Sequence, residues 1–194
     1  MIQIVTAVCL GICLSAACGL RVFLPFLVVS IAAKCGMLEL RDGWMWIGSW
    51  PALIAFSTAT VAEITVYYFP LLDNTLDSIA TPTAGIAGML MTVSVMPADM
   101  SPLYSWCIGI TGGGGVATGV QLVTVGTRAL STVSTGGVGN HVVATGEAVG
   151  SAGISISALF MPIIVGLVVV ITICGMVYFI LKKGGKLFYR RRTA

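Results

Sequence analysis

The chain has 194 residues, of which 57% are hydrophobic and 9% charged, with a formal net charge of +3. Its mean hydropathy is +1.03. Soluble domains average ~25% charged residues, so this composition excludes a soluble globular domain and points to a polytopic membrane protein. The apolar runs are long and do not alternate, which favours helices over barrel strands, and a single compact bundle is the expected unit.

The chain opens on an apolar segment over residues 2–33, within which GICLSAACGLRVFLPFLVVSIAAK (residues 11–34) carries Arg21 and Pro25. It lacks the basic leading residues of a signal peptide and runs on past any cleavage box, so it is expected to be retained. An arginine at the centre of a spanning helix costs roughly 2.5–3.5 kcal/mol on insertion scales and calls for a partner. Gly19 and Pro25 predict a tilt, a kink or a break into two half-helices. Residues 34–42 form a polar turn. Trp44, Trp46 and Trp50 then cluster as an aromatic belt, and Pro51 opens the next helix.

The second span, residues 51–69, contains Glu63. The third begins in LLDNTLDSIATPTAGIAG, where Asp73 and Asp77 are four apart and share a helix face that continues into Thr81, Gly85 and Gly88. A fourth, residues 103–129, holds TGGGGVATGV, in which Gly115 and Gly119 are expected to pack against another helix. The alternative is a broken helix lining a path. After the turn STVSTGGVGN comes a moderately polar segment, residues 141–160, with Asn140 as its expected cap and Glu147 inside it. Residues 162–181 form the cleanest span and lead into KKGGKLFYRRRTA, which by the positive-inside bias marks the cytoplasmic side. The count is six crossings, or five if residues 141–160 lie in the interface or re-enter. The expected division is a transmembrane domain over residues 1–183 and a basic cytoplasmic tail over residues 184–194, in a bacterial inner membrane.

Chemistry is then sought among the ionisable groups. Arg21 in CGLRVFL and Arg128 in VGTRALS form a faint internal repeat. Arg21, Glu63, Asp73, Asp77, Arg128 and Glu147 are expected to converge inside the bundle, because facing lipid is costly. Asp73, Asp77 and Arg128, near span ends, have the alternative of reaching headgroup water. Glu63 is the best single candidate for a protonatable group. The six cysteines have no metal-type spacing and read as small buried hydrophobes. His141 stands alone and reads as a turn residue, and neither GNHVVATGEAVG nor TGGGGVATG has the lysine and hydroxyl pair of a phosphate loop. No serine sits in a nucleophile elbow. No cofactor, metal, nucleic acid or enzymatic activity is therefore expected.

The ordered pieces LSAACGLRVFLPFL, WIGSWPALIAF, AEITVYYFPLLDNTLDSIATPTAGIAG, the glycine run leading to GTRAL, and Asn140 with Gly146 and Glu147 resemble the bacterial membrane proteins grouped as domain of unknown function 4126. The resemblance implies a small multi-spanning fold and marks Arg21, Glu63, Pro70, Asp73, Asn74, Asp77, Gly126, Arg128, Gly146 and Glu147 as pattern positions. The chain departs from that pattern after Glu63, where TVYY replaces polar and basic residues, and after Glu147, where Ala148 replaces an acid.

Two functions follow as expectations. One is a transporter or channel for a small or anionic solute, a lipid headgroup included, whose path holds Arg21, Glu63, Asp73, Asp77, Arg128, Asn140 and Glu147. The other is a non-transporting scaffold or assembly factor in which the same ion pairs fix helix register. The small-residue faces make a homo-oligomer an option in either case.

Overall fold

A computed structural model describes residues 2–67 and 70–192, leaving the side chains of residues 70–78, 176, 177, 179–181 and 183–192 outside the description. Among the described residues every regular element is helical. The order is α1 (Ile2–Leu20), α2 (Phe23–Lys34), a 3-10 turn (Met45–Gly48), α3 (Trp50–Val66), α4 (Pro70–Ser94), α5 (Pro102–Ile108), a π-helical segment (Gly109–Gly114), α6 (Gly115–Thr135), α7 (Asn140–Phe160) and α8 (Pro162–Arg192). The molecule is a helical membrane bundle. Three of its helices have the length and apolarity to cross a bilayer: Ile2–Leu20, Pro102–Thr135 and Asn140–Phe160. Phe23–Lys34, Trp50–Val66, Ile79–Ser94 and Pro162–Gly175 are shorter apolar helices. The moderately polar segment from residue 140 is thus a full-length helix.

Helix α1 is the axis of the fold. It packs against α4, α6, α7 and α8, whereas α2 turns to α3, the 3-10 turn and α7. Composition explains the central position, because the inner face of α1 is made of residues small enough for neighbours on several sides. Cys13, Leu14, Ala17, Cys18 and Ser15 are all fully buried. The Ser15 hydroxyl donates to the Gly88 carbonyl oxygen at 2.8 Å and lies 2.7 Å from the Thr92 hydroxyl. Thr92 in turn reaches the Gly11 carbonyl at 3.2 Å. In hydrocarbon such bonds stand in for the hydrophobic drive that water would supply.

Glycines set the approach of α4 to the Gly109–Gly114 segment. A methyl group at Gly88 would sit 2.8 Å from the Gly113 carbonyl oxygen, and one at Gly109 would lie 3.1 Å from that of Met89. Gly85 and Gly88 therefore act as the close-packing positions expected of them. Gly115 and Gly119 do not: neither has a heavy atom within 4 Å of where a side chain would begin. The glycine run does not break the helix either, which continues as one element through Thr135 by widening into a π turn. Gly109 and Gly113 face α4, and Gly115 and Gly119, two and six residues beyond Gly113, face away from it.

The ends of the bundle are fastened locally. Ser49 caps α3 by accepting from the Ala52 amide, with Pro51 in the first turn. Trp46 and Trp50 are exposed, as a headgroup belt requires, and the Lys34 ammonium lies 3.8 Å from the Trp50 ring centroid. Arg41 ties the turn before the belt to the 95–101 turn, donating to the carbonyl oxygens of Pro97 (3.1 Å) and Met100 (2.9 Å) and to the Ser105 hydroxyl (2.7 Å). Gly136, at φ 64°, ends α6 in the left-handed conformation. The cysteines only partly match expectation. Cys13 and Cys18 are buried and Cys9 half-buried, but Cys35, Cys107 and Cys174 are exposed, since they lie on a turn or on outward helix faces.

Candidate functional site

The site is built around the interruption between α1 and α2. The Arg21 amide still donates to the Ala17 carbonyl at 2.9 Å, which completes α1. Pro25 then removes the N–H that would have bonded back to the Arg21 carbonyl, and regular helix resumes only at Phe23. The first amides of a new helix have no partner within it. Glu63 supplies one from α3: its two carboxylate oxygens accept from the Val22 amide at 2.7 Å and the Phe23 amide at 3.0 Å. A negative group there also meets the positive end of the α2 dipole.

The interruption leaves the Arg21 side chain pointing into the bundle, where it is 1% exposed. Its Nη2 donates to the Ala144 carbonyl oxygen of α7 at 2.9 Å and lies 3.3 Å from Glu147 Oε2. Arg128 arrives from α6 and grips the same carboxylate with two donors, Nε to Oε1 at 3.1 Å and Nη2 to Oε2. Glu147 is thus shared by both guanidinium groups, with a bidentate fork on one side. Tyr67, immediately after α3, completes the cluster. The guanidinium carbons of Arg21 and Arg128 each lie 4.0 Å from its ring centroid.

Of the residues expected at this site, Arg21, Arg128 and Glu147 meet directly, and Glu63 binds the peptide groups beside Arg21. Arg128 is buried, so among the expected alternatives it joins the interior. Asn140 is no cap. It is the first residue of α7 rather than the residue before it, and its side-chain amide donates to the Thr132 hydroxyl of α6 at 2.9 Å. His141 follows in the first turn of α7, with Nδ1 3.4 Å from the Val138 carbonyl oxygen. The side chains of Asp73 and Asp77 lie outside the described residues.

Tyr67 was not anticipated. The signal was nevertheless present: it stands four residues after Glu63, and so on the same face of α3. It belongs to the TVYY stretch in which the chain departs from the pattern it resembles. Ser151 was also missed. Its hydroxyl donates to the Ala17 carbonyl at 2.9 Å and fixes α7 against α1 one turn above the cluster.

Chemically, the arrangement offers two fixed positive charges, a carboxylate that both can release or hold, and a second carboxylate on a helix start. It presents donors suited to an anion. No curated protein and no solved structure was found to match the chain. A family model described as Domain of unknown function (DUF4126) does match, over residues 8–182, and the chain therefore belongs to that family.

Proposed function

We propose that the protein is a carrier or channel for a small anionic solute, acting without enzymatic chemistry in a bacterial inner membrane with its basic C-terminal tail in the cytoplasm. The observation that supports this best is the convergence of Arg21 and Arg128 on the single carboxylate of Glu147 at the centre of a membrane bundle. Buried charges of this kind mark solute and proton paths more often than structure alone requires. An interrupted helix beside them follows the plan of many transporters, in which half-helix ends face the binding site. In this reading Glu147 holds the arginines in the closed state, and an incoming anion takes its place. Purified protein in liposomes should pass small anions, phosphate among them, and Arg21→Ala and Glu63→Gln should each lower that flux at least tenfold. Equal flux from wild type and both variants would remove the proposal.

A second reading has its own observation. The glycines at 115 and 119 face open space on α6, which suits a partner helix in a scaffold or homo-oligomer. Single cysteines at Gly115 and Gly146, in a cysteine-free background, separate the two. Water-soluble reagents reaching Gly146 would favour a path, and protection of Gly115 with Gly146 silent would favour a scaffold.

A further inference from the structure

Helices α6 and α8 stand apart above α1 and leave a lateral cleft of about 540 Å³, within the ~300–1,000 Å³ usual for ligand sites. Ala16 and Leu20 of α1 form its floor, and Val120 and Val123 of α6 face Val168 and Val169 of α8 across it. Gly146 and Glu147 of α7 close its inner end. Glu147 is the one ionisable residue among the described residues of this lining, and it is the carboxylate that Arg21 and Arg128 share. The cleft therefore joins an aliphatic trough to the arginine and carboxylate cluster at the centre of the bundle.

Two further observations bear on its occupant. Nε and Nη1 of Arg21 are buried and have no hydrogen-bond partner among the described residues. Buried donors are normally satisfied, so these two call for an acceptor beyond those residues. Gly146 also has no heavy atom within 4 Å of where a side chain would begin, which leaves the cleft wall beside Glu147 open. A free aqueous anion has no use for aliphatic walls, whereas a hydrocarbon chain does.

We infer that the cleft binds an anionic membrane lipid, its acyl chain between α6 and α8 and its acidic headgroup exchanging with the Glu147 carboxylate on Arg21 and Arg128. The inference rests on the transport reading for its purpose and names the class of solute carried. Binding itself is measurable without flux.

The test uses the purified, delipidated full chain in detergent, with bound lipid counted by native mass spectrometry. Phosphatidic acid and phosphatidylcholine of identical chains are offered, and inorganic phosphate is offered separately as a competitor. Wild type should retain one phosphatidic acid per chain with at least a tenfold preference over phosphatidylcholine. Gly146→Leu fills that opening without a clash and should weaken retention at least tenfold at an unchanged melting midpoint. Gly115→Leu, an equally open glycine outside the cleft lining, should bind as wild type does. Undiminished retention by Gly146→Leu, or equal retention of the two lipids by wild type, would overturn the inference. So would displacement of phosphatidic acid by millimolar phosphate, which would assign the site to the free anion. Anion flux that depends on Arg21 but is indifferent to Gly146→Leu would sink the lipid assignment and leave the transport reading standing.

Discussion

Replacing Glu147 with glutamine keeps the shape of the side chain and removes one negative charge from between two guanidinium groups. At 3.3 Å and an effective dielectric constant of about 20, the Arg21 attraction alone is worth about 5 kcal/mol, and Arg128 lies closer still. Part of this is recovered, because the glutamine oxygen still accepts a hydrogen bond and the desolvation of one charge is avoided. Breaking a buried pair by removing one partner typically costs about 3–5 kcal/mol, and that is the expected loss. The assay is equilibrium unfolding of the purified protein in mixed micelles, repeated in an Arg21→Met background. The second cycle is decisive. If the three groups act as a unit, Glu147→Gln should cost at least 1 kcal/mol less when Arg21 is already gone, which lies within the usual range of coupling energies. A loss below ~1 kcal/mol, or losses that simply add, would refute the view that the polar centre is one cooperative cluster.

Tyr67→Leu should destabilise the fold by about 2 kcal/mol in the same unfolding assay, since two desolvated guanidinium groups lose their aromatic partner. Gly88→Val would drive its side chain into Gly113 and Ala117 and should cost about 1–3 kcal/mol, while Gly115→Val, facing open space, should stay within about 1 kcal/mol of wild type. Arg41→Ala should cost about 1.5–3 kcal/mol and speed hydrogen exchange across residues 95–101, because two charge-assisted bonds to that turn and a third to Ser105 of α5 are lost. Unchanged exchange there would show that the turn is held by other means. With maleimide added to the folded protein in micelles, Cys35 should react, and Cys13 and Cys18 should react only on unfolding.

The elements legible in the sequence were those that burial of charge dictates. An arginine in the first apolar run had to be answered, and Glu147 and Arg128 lie where that argument required. Pro25 announced the interruption of the helix, since a missing amide can be read without coordinates. What the sequence did not reveal was direction. Gly109 and Gly113 pack while Gly115 and Gly119 do not, because an offset of two residues turns a helical position to the opposite side, and residue type does not say which side meets the neighbour. Tyr67 was missed for a related reason. In the aromatic stretch that closes a span it reads as one more interfacial aromatic, and tertiary packing turns it inward. Asn140 misled in the opposite way: its residue type suits a cap, but α7 starts one residue earlier than the pattern implied and frees its side chain for Thr132.

The carboxylate that joins α3 to the start of α2 has a mechanical meaning. Among the described residues α3 packs chiefly on α2 and the 3-10 turn, and α2 also on α7, so a displacement of α3 would reach the backbone at Val22 and Phe23, beside Arg21. A push on α3 from the end that carries the tryptophans would be delivered to the peptide groups next to the arginine. Spin labels on α3 and α8 would record such a displacement as a change in separation when the link is loosened by Glu63→Gln, and a constant separation would show that α3 is held in place by other contacts.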